Sequence, residues 1–185
     1  MIAVITGHLA GIGKLGAEVL SGLGYEVIGF DKSDGQDISL EDVQKQIIEK
    51  SLIADVFLNN AYHVSAQTKL ALEWAAANKS RKTHMVTSSS TVVDAVTENQ
   101  RWWEYRIAKI GLEEAAKLTN NSTYACKVTT VRFGMVATEL FLKHHPGFDT
   151  KKCLTTEAVK QLLELAFTFK NNGAPLRLIS SDTGL

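Results

Sequence analysis

Apolar positions along the chain fall into two alternating kinds of run. Short stretches rich in β-branched residues, Ile2 to Thr6, Glu26 to Phe30, Val56 to Leu58, His84 to Thr87, Val128 to Phe133 and Leu176 to Ile179, read as buried strands. The segments between them carry a helical period. Ile12, Leu15, Val19, Leu20 and Leu23 share one face, and Gly22 and Gly24 close that helix before the second strand. Ser39 with Asp42 reads as a helix start, with Leu40, Val43 and Ile47 on one side. Ser65 to Asn78 and Trp103 to Leu118 are further helices, and Thr156-Glu157 opens a last one with Val159, Leu162, Leu163 and Ala166 inward. Strand and helix in strict alternation predict an α/β fold: a doubly wound, predominantly parallel sheet in three layers, formed as one domain over 1–185. In such sheets ligands bind at the carboxyl ends of the strands.

Composition changes this picture little but narrows the partners. A chain of 185 residues is long enough for one substantial core. Twenty basic and twenty acidic side chains cancel, so neither nucleic acid nor an anionic membrane surface is expected to bind it. No apolar run reaches membrane-spanning length and the first residues lack the pattern of a secretory leader, which sets a cytoplasmic location as the expectation. Cys126 and Cys153 are too few for a disulfide framework, and Cys126, beside an apolar strand, reads as a small core residue.

Candidate chemistry begins at the first strand-to-helix turn. Thr6-Gly7-His8-Leu9-Ala10-Gly11-Ile12-Gly13 puts glycines where a pyrophosphate would meet free backbone N–H groups and the positive end of a helix dipole. Glycines alone leave a plain turn as an equal reading. Asp31 ends the second strand, where a carboxylate accepts both hydroxyls of an adenosine ribose and repels a 2′-phosphate, favouring NAD over NADP. A solvated turn in Asp31-Lys32-Ser33-Asp34 is the alternative, and Lys32 is the nearby charge that would soften the preference. Further on, Tyr105 and Lys109 lie four residues apart on one helix face, after a strand that ends in Ser88-Ser89-Ser90.

These elements together resemble the short-chain dehydrogenases and reductases over nearly the whole chain. The resemblance rests on the T-G-x-x-x-G-x-G spacing, Asp37-Ile38, Asn59-Asn60-Ala61-Tyr62, Tyr105-Arg106-Ile107-Ala108-Lys109 and Phe133-Gly134-Met135-Val136-Ala137-Thr138. It implies a Rossmann-type fold, a doubly wound, predominantly parallel sheet of about seven strands. It implies reversible NAD(H)-linked oxidation of a secondary alcohol or reduction of a carbonyl in a small-molecule substrate. It further implies that Gly7, Leu9, Gly11, Ile12, Gly13, Asp31, Asp37, Ile38, Asn59, Asn60, Ala61, Val136 and Thr138 hold the cofactor together with Tyr105 and Lys109.

Hydride transfer to a carbonyl leaves an oxyanion that must gain a proton, and the reverse reaction must remove one. A free tyrosine, with a pKa of about 10, is a poor base at neutral pH. Lys109 is expected to lower it by favouring the phenolate, and a serine is expected to hold the substrate oxygen. Ser90 fits the register of the resemblance best, with Ser89 next, so the catalytic set is Ser90, Tyr105 and Lys109. The distance from Ser90 to Tyr105 implies an insertion at Asp94 to Gln100.

The chain also departs from that pattern. Tyr62 stands where glycine is usual and Phe133 where proline is. The segment between Asn59 and Ser88 is short and holds no asparagine near Val64 to Thr68, the nearest substitutes being Ser65 and Gln67. The loss alters the water chain expected behind Lys109, and the short segment removes surface used for pairing, leaving a homo-oligomer open. A dinucleotide-binding regulator without turnover is therefore a rival reading. A sugar-nucleotide epimerase or dehydratase is another, opposed by the glycine spacing and the small size. His144 and His145 lack metal-site spacing, and no metal is expected. Trp102 and Trp103 are candidates for pocket wall or packing.

Overall fold

The computed structural model describes residues 1–94 and 100–169, and the backbone of 177–179. Six strands form one sheet: β1 (Ile2–Thr6), β2 (Glu26–Phe30), β3 (Val56–Asn59), β4 (His84–Ser90), β5 (Lys127–Phe133) and β6 (Arg177–Ile179). Every pairing is parallel, in the order β2-β1-β3-β4-β5-β6. Helices α1 (Gly11–Gly22), α2 (Glu41–Ser51), α3 (Ala66–Ala77), α4 (Trp103–Asn121), α5 (Glu139–His144) and α6 (Thr156–Thr168) lie between the strands in sequence. The six strands are those the hydrophobic pattern marked, and the expected seventh is not present among the described residues. Between Phe30 and Val56 the chain makes only a 3-10 turn, Lys32–Asp34, and α2, so no described strand extends the sheet beyond β2.

Alternation along the central strands divides the interior into two layers, as the pleat requires. Val4 and Phe57 face one layer with Leu70, Trp74 and Leu112, from α3 and α4. Ala3, Ile5, Val56 and Leu58 face the other with Leu15, Leu20 and Leu163, from α1 and α6. Trp74 is fully buried, its ring centroid 6.4 Å from that of Phe57. Cys126 is buried in the first layer, its Sγ donating to the Ala75 carbonyl at 3.7 Å.

Two local differences from the sequence pattern bear on the site. α2 starts at Glu41 rather than Ser39, because Asp37 Oδ1 accepts the Ser39 N–H at 2.9 Å and turns the chain there. β4 continues past Thr87 because Ser88, Ser89 and Ser90 pair with Val131, Arg132 and Phe133 of β5. That extension carries the serines to the carboxyl edge of the sheet. The strand order reverses between β1 and β3, the place where a parallel sheet of this type opens a crevice.

Candidate functional site

The crevice is built first from backbone. Gly7 donates its N–H to the Phe30 carbonyl at 2.7 Å, and Thr6 Oγ1 accepts the N–H groups of Asn60 and Ala61, each at 3.0 Å. The ends of β1, β2 and β3 are thereby tied together. Gly13 must be glycine, since a Cβ there would fall 1.9 Å from the Gly7 carbonyl oxygen. Gly7 and Gly11 adopt φ values of +72° and +56°, which other residues rarely reach. The N-cap of α1 is Ala10, which offers no side-chain cap, and the first turn holds no acidic residue. An uncapped, unopposed helix N-terminus over a glycine loop fits a phosphate group.

Asp31 stands at the end of β2 with Oδ2 accepting the Leu9 N–H at 3.1 Å and Oδ1 accepting from Ser33 N and Oγ at 3.0 and 2.6 Å. Burial works to raise its pKa, but the Ser33 and Leu9 donors and the nearby His8 outweigh it and keep the carboxyl below its usual value. Lys32 pairs with Asp37 at 2.9 Å. The Ser39 N–H, followed by Lys32, brings the Asp37 carboxyl down to about 2. Ile38 has its side chain in the core, which leaves only its backbone for a ligand.

Tyr105 and Lys109 project from the same stripe of α4 toward the ends of β3 and β4. The Ser90 hydroxyl faces the Tyr105 phenol and works to lower its pKa, and it accepts the Val92 N–H at 3.3 Å. Lys109 is 3% exposed and donates to Gln67 Oε1 at 2.8 Å and to the Ser88 carbonyl at 2.7 Å. Its ammonium lies 5.4 Å from the Tyr105 ring centroid and 5.5 Å from that of Tyr62. The two rings meet edge to face at 4.8 Å, and Trp102 stands 6.2 Å from Tyr105 on another side. Tyr62 is carried by a loop in which Val64 holds a φ of +32°, a strained value for a β-branched residue.

Of the three serines, the structure brings only Ser90 up to Tyr105. Ser89 donates to Glu113 Oε1 at 2.7 Å, while Ser88 Oγ is buried without a partner. Gln67 sits close to where the missing asparagine was sought. Its amide donates to the Asn59 carbonyl at 2.8 Å, Asn59 Nδ2 returns a bond to the Gln67 carbonyl at 2.9 Å, and its Oε1 receives Lys109 directly.

The protonation balance differs from expectation. Burial raises the Tyr105 phenol above its usual pKa, with the Ser90 hydroxyl opposing. Burial also draws the Lys109 ammonium down to about 7, with the Glu113 carboxylate opposing. Desolvation thus outweighs the lowering of Tyr105 expected from Lys109. One consequence is a pH-dependent stability. Unfolded, Lys109 keeps its proton to near 10.5; folded, it gives it up near 7, so the unfolded chain binds the extra proton between these values. Stability is therefore expected to rise between about pH 7 and about pH 10, above which the raised Tyr105 pKa acts in the opposite sense. Urea midpoints across this window should climb more steeply for the wild type than for Lys109→Met.

Beneath these groups lies a charged network that the sequence reading did not single out. Arg132 of β5 donates from Nε and Nη2 to Glu113 Oε1 and Oε2, both at 2.6 Å, and from Nη1 to Asp94. Both members of the Arg132–Glu113 pair are buried. Two signals marked it: Glu113 continues the Tyr105 and Lys109 stripe one turn further, and Arg132 is a charge set between the apolar Val131 and Phe133 near the end of a strand.

Thr138 caps α5, its Oγ1 accepting the Phe141 N–H at 3.2 Å. Val136 bridges to Leu154, which brings the chain after β5 back beside the crevice. An open cavity of about 410 Å³ lies between Leu9, Ala10, Gly11 and Lys14 on one side and Thr138, Leu140 and Lys143 on the other. Residues 95–99, within the expected insertion, and Leu176 lie outside the described residues. Among those described, no group of His, Cys, Asp or Glu is disposed to hold a metal, and no helix is long and apolar enough to cross a membrane.

No protein-family model matches the sequence, and no curated protein sequence does. Solved structures do match in shape. An alcohol dehydrogenase from the archaeon Thermococcus sibiricus, complexed with 5-hydroxy-NADP, superimposes with a TM-score of 0.79 at 16% identity, over 98% of this chain and 96% of that one. The fold is that of the short-chain dehydrogenases and reductases. A 3-alpha-hydroxysteroid dehydrogenase from a Pseudomonas species, complexed with NADH, gives a TM-score of 0.71 at 15% identity, covering 97% of this chain and 95% of that one. An oxidoreductase of the short-chain dehydrogenase/reductase family from Burkholderia thailandensis gives 0.74 at 17% identity, with coverage of 100% and 92%. Fold likeness of this order carries no residue roles by itself.

Proposed function

We propose that the chain is an NAD(H)-dependent oxidoreductase that interconverts a secondary alcohol and a carbonyl in a small-molecule substrate, with Tyr105 as general acid and base. The observation that carries this reading is the cluster at the carboxyl edge of β4: the Ser90 hydroxyl facing the Tyr105 phenol, with Lys109 buried against the same ring. An ordinary helix surface has no reason to bury a lysine beneath a tyrosine.

The glycine loop, the free N-terminus of α1 and Asp31 fit a dinucleotide, with the pyrophosphate at the loop and the adenosine ribose at the carboxylate. When bound, a nicotinamide supplies or accepts the hydride. The protein's own groups handle the proton. Ser90 positions the substrate oxygen beside the phenol, and Tyr105 gives its proton to that oxygen during carbonyl reduction or takes one during alcohol oxidation. Lys109, held by Gln67 and Ser88, fixes a positive charge or a donor beneath the ring. Asp31 supports NAD over NADP, since a carboxylate only accepts hydrogen bonds and Lys32 is engaged by Asp37.

A second reading, a dinucleotide-binding regulator, is favoured by the Tyr62 ring, which occupies one approach to Lys109. Titration with NADH and NADPH, followed by nicotinamide fluorescence, together with a panel of carbonyls and alcohols, separates the two. Saturable binding, tighter for NADH, with turnover of at least one carbonyl supports the enzyme. Binding without turnover supports the regulator, and failure to bind either dinucleotide contradicts both.

A further inference from the structure

We infer that Tyr62 is a positioning residue whose ring covers the Tyr105 phenol and the Lys109 ammonium together and keeps water from the pair, an assignment that rests on reading these two as the groups that handle the proton. The Tyr62 ring meets the Tyr105 ring edge to face at 4.8 Å. Lys109 Nζ lies 5.5 Å from the Tyr62 centroid and 5.4 Å from that of Tyr105, so two rings that brace each other share one ammonium. Lys109 donates to Gln67 Oε1 of α3 at 2.8 Å and to the Ser88 carbonyl of β4 at 2.7 Å. With the two rings added, only 3% of Lys109 is exposed, whereas Tyr62 is 41% exposed. The Tyr62 ring therefore stands between the pair and solvent.

The fold holds the ring in that place. Thr6 Oγ1 accepts the N–H groups of Asn60 and Ala61, each at 3.0 Å, so the chain is pinned to β1 as far as the residue before Tyr62. Burial is the largest influence on both members of the pair, and the Tyr62 ring is part of that burial. Other groups act from each neighbouring element. Glu113 of α4, itself paired with Arg132 of β5, opposes the effect of burial on Lys109, and Gln67 of α3 is neutral. Ser90 of β4 opposes the rise at Tyr105 and Tyr62 adds to it, while burial and then Glu104, in the first turn of α4, raise Tyr62. Without the ring, water would reach Nζ and favour the ammonium, and a charged Lys109 beside the phenol would favour the phenolate. The ring thus keeps Tyr105 protonated to higher pH and fixes its orientation.

Tyr62→Phe and Tyr62→Ala test this, since both lack the Tyr62 hydroxyl and only the second lacks the ring. Tyrosinate absorbance is followed through an alkaline titration, with the Tyr105 component taken as the part lost when Tyr105→Phe is added to each variant. Tyr105 is expected to ionise about one pH unit lower in Tyr62→Ala than in Tyr62→Phe. The pH profile of kcat/KM for alcohol oxidation, which reports the free protein's groups, should shift by the same amount. Turnover at neutral pH should fall about five-fold in Tyr62→Ala, the effect of losing one edge-to-face contact, and Tyr62→Phe should recover most of it. Coincident Tyr105 titrations in the two variants overturn the role of Tyr62 and leave the enzyme reading standing. A wild type that turns over no carbonyl or alcohol overturns that reading, and the role of Tyr62 with it.

Discussion

Tyr105→Phe is expected to lower turnover by about 10²- to 10⁴-fold, the usual contribution of a positioned acid or base, while NADH still binds. The substitution deletes one hydroxyl and keeps the ring, so the contacts with Tyr62 and Trp102 and the packing over Lys109 persist. The loss therefore reports the proton and not the shape. Because burial raises the Tyr105 pKa, the phenol carries its proton at neutral pH and is set to act as an acid toward a carbonyl. Alcohol oxidation needs the phenolate and is expected to gain rate as pH rises, until the raised pKa is passed. Steady-state kinetics in both directions check this, with dinucleotide affinity measured separately. Equal turnover by Tyr105→Phe would remove Tyr105 from the chemistry.

Glu113→Leu is expected to destabilise the protein by about 3–5 kcal/mol, the cost of leaving one member of a buried ion pair without the other. Arg132 would keep only Asp94, which is largely exposed and lies on the segment after β4. Ser89 would lose its acceptor in the same step. Replacing both partners, as Glu113→Leu with Arg132→Met, should restore much of the loss, because no unpaired charge then remains inside. Urea unfolding midpoints for the single and double variants measure it. A single variant as stable as the double would show that the pair contributes little.

The sequence made the scaffold legible because period-2 and period-3.6 patterns are strong in short buried strands and amphipathic helices. Thr6 to Gly13, Tyr105 with Lys109, and the run of Ser88 to Ser90 all reach the carboxyl edge that the strand and helix alternation implied. The seventh strand was expected from resemblance alone, with no hydrophobic run behind it. Choosing among the serines by register left Ser89 open; what separates them is that Ser89 pairs with Glu113 across to α4, a contact made by tertiary packing. The balance at Tyr105 was misjudged for a related reason. Sequence spacing shows that a lysine is near a phenol, but not that both are desolvated. Gln67 illustrates the same limit, since a glutamine in the first turn of a helix gives no sign that its amide will bridge Asn59 and Lys109.

The most direct measurement is a crystal structure of the protein with NAD⁺. The pyrophosphate should rest on the backbone amides of the Gly7 to Gly13 loop, with the adenosine ribose at Asp31 and the nicotinamide beside the hydroxyls of Ser90 and Tyr105. A dinucleotide bound with its nicotinamide away from Tyr105, or a folded protein left empty at saturating concentration, would contradict the account.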